Sequence, residues 1–143
     1  MTSSGIYKLF VYGSLRSGFH NPVYEYISRY FTLVGEAKVK GKLIDMGTYP
    51  AGIPAEDHTF IIGELYQVKH ENEFSWAIGQ LDDYEGVNVE DDEEQLYRRE
   101  ITEVLINDQP VKAWIYWYNG DVSDRPVIAS GDMMEYLNHK KSL

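Results

Sequence analysis

Residues 6–12 read IYKLFVY, apolar or aromatic at almost every position. A half-exposed strand alternates apolar with polar residues, so a run without that alternation predicts a strand buried on both faces. Such a strand needs a sheet or small barrel with further structure packed over it. At 143 residues, 43% of them apolar, the chain can bury a core of that kind in one domain. Residues 1–5 are expected to fray.

The remaining pattern supplies the other parts. Asn21-Pro22 is a helix start, since Asn caps and Pro suits the first helical position, and a short helix over 23–30 follows. In VKGKLID, Val39, Gly41 and Leu43 alternate with Lys38, Lys40 and Lys42, predicting a half-exposed strand within 33–45. MGTYPAGIP (46–54) reads as turn chemistry. A strand over Phe60–Val68 comes next. Phe74, Ala77, Ile78, Leu81 and Tyr84 recur at helical spacing within 72–84, with Gly86 at the C-cap position. Residues 96–106 and 111–118 form a hairpin across NDQP, and a last helix covers 132–139. The predicted class is α+β: a small mixed, largely antiparallel β-barrel or sheet flanked by short helices.

Several function classes are excluded. Zero cysteines leave no disulfide, thiol nucleophile or thiolate metal site. Only 13 Lys and Arg against a net charge of −10 argue against nucleic acid, which is held by phosphate neutralisation. No apolar run approaches a membrane span, and no basic, apolar leader follows Met1, so a cytoplasmic protein is expected. His20, His58, His70 and His139 show no metal-ligand spacing, so neither metal nor cofactor is expected. The acidic run 90–94 reads as a solvated loop and lacks the spacing of a calcium loop.

Three segments could carry chemistry. Tyr12-Gly13-Ser14-Leu15 ends the first strand. It is either a tight structural turn or a turn whose backbone donors face an anion. Ser14 does not fit a nucleophile elbow, because Tyr12 and Arg16 stand where glycines are required. LDDYEGV (81–87) puts Glu85 in a last helical turn with Asp82 and Asp83 nearby. The segment is either an acidic surface end or a tuned base: the helix dipole and like charges both raise a carboxylate's pKa. AWIYWY (113–118) sends Trp114, Tyr116 and Tyr118 to one strand face and Ile115 and Trp117 to the other. Ring packing accounts for most of these, with the Tyr116 hydroxyl suited to a polar pocket.

Taken together and in this order, VYGSLRSGFHN, GTYP, GELYQV, LDDYEGV, LYRREI and AWIYWY resemble the γ-glutamylcyclotransferase-like family over nearly the whole chain. That resemblance implies a small mixed barrel and a reaction in which a γ-glutamyl α-amino group attacks its own side-chain carbonyl. An amine and 5-oxoproline result, without metal or cofactor. It further implies that Tyr12, Gly13, Ser14 and Leu15 hold the γ-glutamyl head group, that Glu85 is the acid/base, and that Tyr116 and Tyr97 line the pocket. Asp82 and Asp83 receive no proton-transfer role and are expected to tolerate replacement by Asn. Met133 stands where related sequences often carry tryptophan, a departure at the distal pocket wall. The implied partner is a small γ-glutamyl substrate, and the implied assembly a monomer or weak dimer. The competing reading is a non-catalytic binding module on the same fold.

Overall fold

The strand demanded by the apolar run is β1 (Lys8–Val11), in which Leu9, Phe10 and Val11 are all buried. Its side chains divide between two cores: Phe10 joins one cluster, while Leu9 and Val11 join another. The structure, a computed structural model, describes residues 6–12, 22–47, 50–55, 58–85, 95, 97–132 and 136. After β1 come α1 (Pro22–Tyr30), β2 (Phe31–Asp45), β3 (Pro50–Pro54), β4 (Phe60–Val68) and α2 (Phe74–Glu85). The chain continues through β5 (Tyr97–Ile106), β6 (Gln109–Tyr118) and β7 (Val127–Ile128).

The strands close on themselves. Pairing runs β2–β4–β1–β6–β5 and returns from β5 to β2 through Lys38↔Leu105 and Val39↔Val104. Only β1 and β6 run parallel, through Leu9↔Trp114; the remaining pairings of the ring are antiparallel. This is the mixed, largely antiparallel barrel that the sequence predicts. Closure removes exposed strand edges. β2 is long enough to serve both β4 (Phe31 to Lys40) and β3 (Gly41 to Asp45), and a bulge between Leu33 and Gly35 bends it around the ring.

The barrel interior is filled by Phe10, Val39, Leu43, Ile61, Leu65, Val104, Ile115 and Trp117, with Tyr12 at one end. Gly63 is required in this wall, because a Cβ there would lie 2.2 Å from the Val11 carbonyl oxygen. Outside the barrel, Ile27 of α1 and Phe74, Ala77, Ile78 and Leu81 of α2 pack on Leu9, Val11, Tyr66 and Tyr116. The alternation expected in β6 is present: Ile115 and Trp117 point inward, Trp114 and Tyr116 towards the helices.

Some expectations are corrected. Residues 50–54, read as turn, form β3 paired with Gly41–Asp45. Its prolines sit at the first and last positions, where a missing N–H costs the ladder least. The hairpin loop is two residues, not four. Asn107 and Asp108 take φ of 51° and 63°, the left-handed pair that matches strand twist, and Gln109 and Pro110 already belong to β6. α2 begins at Phe74, after a 3₁₀ turn over Glu71–Glu73. β7 is two residues long and carried no signal. Of the helix expected over 132–139, Asp132 and Tyr136 are described, and the Tyr136 N–H donates to the Asp132 carbonyl at 3.0 Å. Residues 86–94, His20, Met133 and His139 lie outside the described residues.

Candidate active site

Of the site residues named from the sequence, Tyr12, Tyr97 and Tyr116 lie at the ring end where β1 finishes, β3 begins, β5 starts and β6 ends. Tyr12 closes β1 with its ring in the barrel, and its hydroxyl donates a short hydrogen bond to the Tyr116 carbonyl. Gly52 of β3 lies against that ring: a Cβ at Gly52 would come within 2.5 Å of Tyr12 Cζ. Tyr97, opposite Tyr118 in the β5–β6 register, packs edge-on against the Tyr118 ring at 5.4 Å. The Tyr97 hydroxyl reaches the Pro50 carbonyl at 3.5 Å. Gly13, Ser14 and Leu15 lie outside the described residues.

Glu85 is the last residue of α2, and its side chain lies outside the described part of the structure. One helical turn earlier stands Asp82, and here the structure departs from expectation. Asp82 is 5% exposed, on the buried stripe with Ile78 and Leu81. Arg99 of β5 grips it with both arms of its guanidinium, Nε to Oδ1 at 2.7 Å and Nη2 to Oδ2 at 3.0 Å. The Tyr116 hydroxyl donates to the same Oδ1 at 2.8 Å. Trp114 supplies a ring face under the guanidinium, 4.4 Å from its carbon. Asp82 is therefore buried rather than solvated, and its charge is matched by Arg99.

A buried carboxylate needs such partners, since an unpaired charge in the interior is costly. Sequence reasoning missed Asp82 and Arg99, although one signal was available. Asp82 falls four residues after Ile78, on the apolar stripe itself, and a carboxylate there requires a cation from a neighbouring element. Tyr116, expected at the pocket wall, directs its hydroxyl to Asp82. A second buried acid, Asp45 at the end of β2, accepts hydrogen bonds from the Gly47 N–H (2.8 Å) and the Tyr136 hydroxyl (2.6 Å). These contacts tie the turn after β2 and the chain near Tyr136 to the barrel.

Two concavities are formed by the described residues. A cleft of about 350 Å³ runs over the α2–β5–β6 seam, lined by Phe74, Ser75, Ile78, Gly79, Asp82, Arg99 and Trp114, so the buried ion pair forms part of its wall. Another of about 470 Å³ sits at the far end of β5, beside Asn107 and Asp108. Neither gathers the tyrosines named from the sequence. Among the described residues, no group of three or more metal-ligating side chains is assembled. No described helix is long and apolar enough to cross a membrane.

The family model described as gamma-glutamyl cyclotransferase, AIG2-like, matches residues 9–135. A Vibrio cholerae protein provisionally named a gamma-glutamylcyclotransferase is 35% identical over 126 residues, covering 87% of this chain and 92% of that one. A Niallia circulans protein named gamma-L-glutamyl-butirosin B gamma-glutamyl cyclotransferase is 32% identical over 113 residues, covering 79% of this chain and 67% of that one. Among solved structures, YkqA from Bacillus subtilis superposes with a TM-score of 0.70 at 27% identity, over 96% of this chain and 43% of that longer one. A mouse AIG2-like protein shares the fold, with a TM-score of 0.66 at 22% identity over 89% of this chain and 88% of its own. The family match spans β1 to the residue before Tyr136 and takes in the whole barrel and α2, so the chain belongs to the gamma-glutamyl cyclotransferase, AIG2-like family.

Proposed function

We propose that the protein is a γ-glutamyl cyclotransferase that releases an amine and 5-oxoproline from a small γ-glutamyl compound, with Glu85 as its acid/base. Family membership supports an activity of this type. The observation that carries the assignment to Glu85 is a chain of two hydrogen bonds. Tyr12, at the start of the glycine-containing loop, bonds the Tyr116 backbone, and the Tyr116 side chain bonds Asp82 one turn before Glu85. Tyr12 and the last turn of α2 are thereby tied to the same residue of β6.

The chemistry follows from those parts. Backbone N–H groups of residues 13–15 hold the substrate α-carboxylate, as successive turn amides do for anions. The α-amino group is mostly protonated at neutral pH and cannot attack until Glu85 takes a proton from it. The freed nitrogen adds to the δ-carbonyl carbon of the same molecule, closing a five-membered ring. The ring nitrogen of the tetrahedral adduct gives up its second proton, and the adduct collapses by breaking its bond to the departing nitrogen, which takes one proton from Glu85 and, with the second, leaves as the ammonium form of the amine. No atom is gained or lost overall. Because nucleophile and electrophile belong to one molecule, holding them in attack geometry supplies much of the rate, with effective molarities of ~10⁵ M or more.

A screen of γ-glutamyl amines and peptides, measuring 5-oxoproline and the released amine together, tests this reading. The relative named for γ-L-glutamyl-butirosin B puts small-molecule γ-glutamyl amines first in that screen. Equimolar release of the two products, unaffected by a chelator, is the expected result. Binding of γ-glutamyl compounds with no turnover of any of them would leave a binding module instead. Gly13→Val should weaken binding of 5-oxoproline in calorimetry, because a β-branched side chain blocks backbone approach.

A further inference from the structure

We infer that Asp82 is the positioning residue for the acid/base, acting through a clamp that Arg99 and Tyr116 close on the last turn of α2. The inference rests on Glu85 carrying the proton transfer. α2 ends at Glu85. A last helical turn has carbonyls with no intrahelical partner and frays readily. A base at such a position would wander unless something held the turn.

Asp82 provides the hold. It accepts three hydrogen bonds from two strands: two from Arg99 on β5 and one from Tyr116 on β6. Arg99 and Tyr116 are register partners in the β5–β6 ladder, so both donors come from one rigid rung. The fork of the guanidinium fixes the carboxylate in plane and in direction, which a single point contact would not. Trp114 backs the guanidinium, and its own indole N–H donates to the Ile6 carbonyl at 3.0 Å. Tyr116 also receives the Tyr12 hydroxyl on its carbonyl, so one rung registers both the helix end and Tyr12. Residues three apart on a helix are neighbours on its surface. Fixing Asp82 therefore fixes the starting point of the Glu85 side chain.

Interactions that hold a reacting group in place act on the chemical step more than on ground-state binding, and a displacement of about 1 Å can cost ~10²-fold. Asp82→Asn keeps size and shape but sets an amide against a guanidinium. Its kcat, per folded molecule, should fall roughly 10–100-fold with KM within about 3-fold. Tyr116→Phe removes one of the three hydrogen bonds and should give a smaller loss in kcat. Asp83→Asn, at an exposed position, should change neither. Amide hydrogen exchange of residues 83–85 should speed up roughly 10-fold in Asp82→Asn and stay unchanged in Asp83→Asn. Unchanged exchange in Asp82→Asn would overturn the clamp. Faster exchange with kcat kept within 2-fold would overturn the positioning role, leaving Asp82 to stability alone. A wild-type protein that turns over no γ-glutamyl compound would refute the cyclotransferase reading and with it this role, while the exchange rates would still decide whether the clamp exists.

Discussion

The inside of the barrel and the seam between α2 and the β5–β6 hairpin are both buried, yet they are built from opposite materials. The interior is hydrocarbon and aromatic ring, from Phe10 and Val39 through Ile115 to Trp117. The seam sets a carboxylate, a guanidinium and a phenol among apolar side chains of α2. Alternate residues of one strand supply both, since Ile115 and Trp117 face inward while Trp114 and Tyr116 face the helix. The difference teaches where stability and placement come from. Apolar packing is non-directional and sets how firmly the barrel holds. A forked ion pair is directional, contributes less to stability than its contacts suggest, and fixes one side chain relative to another.

Substitutions on the two sides of β6 should separate these effects. Trp117→Ala opens a large cavity in the barrel and should cost about 3–5 kcal/mol, read as a lowered denaturation midpoint. Whatever remains folded should turn over normally. Arg99→Leu leaves the Asp82 carboxylate buried without its cation and should cost about 3 kcal/mol, the low end for breaking such a pair because Arg99 is partly exposed. Unlike the barrel variant, it should also lower kcat per folded molecule, and Arg99→Lys should recover part of both losses. A normal kcat in Arg99→Leu would erase the distinction between the regions.

Gly52→Ala probes the point where barrel and site meet. The added methyl must displace the Tyr12 ring, whose hydroxyl is already bonded, and overpacking of this kind costs about 2 kcal/mol. Ligand affinity should drop as Tyr12 moves, measurable by calorimetry with 5-oxoproline. The smallest effect belongs to Ile115→Val, which trims one methyl from the interior. A loss near 1 kcal/mol in denaturation with unaltered kcat and KM is expected.

Much of the fold was legible because apolar period and burial agree in most elements. β1 declared itself by lacking alternation, β2 by its lysine-flanked alternation, and α2 by the spacing of Phe74, Ala77, Ile78 and Leu81. β3 was not legible because its prolines and glycine outweigh two apolar residues in any local reading; its pairing with Gly41–Asp45 is decided by the partner strand. The same limit applies at the site. Tyr12, Tyr97, Tyr116 and Glu85 could be named from motifs that recur in order along the chain. The bond between Asp82 and Arg99 joins residues 17 positions apart on a helix and a strand, and no local pattern encodes it. A charged residue on an apolar stripe announces that a partner exists without saying where.

The most direct test of the central claim is turnover by Glu85→Gln, with a thermal melt of the same protein. The amide keeps the size of the side chain but cannot take the ammonium proton, so kcat on a γ-glutamyl substrate should fall roughly 10²–10⁴-fold. Its melting temperature should be unchanged or slightly raised, because a charge opposed to the helix dipole is gone. Binding of 5-oxoproline should persist. A folded Glu85→Gln protein with wild-type kcat would contradict the assignment of proton transfer to this residue.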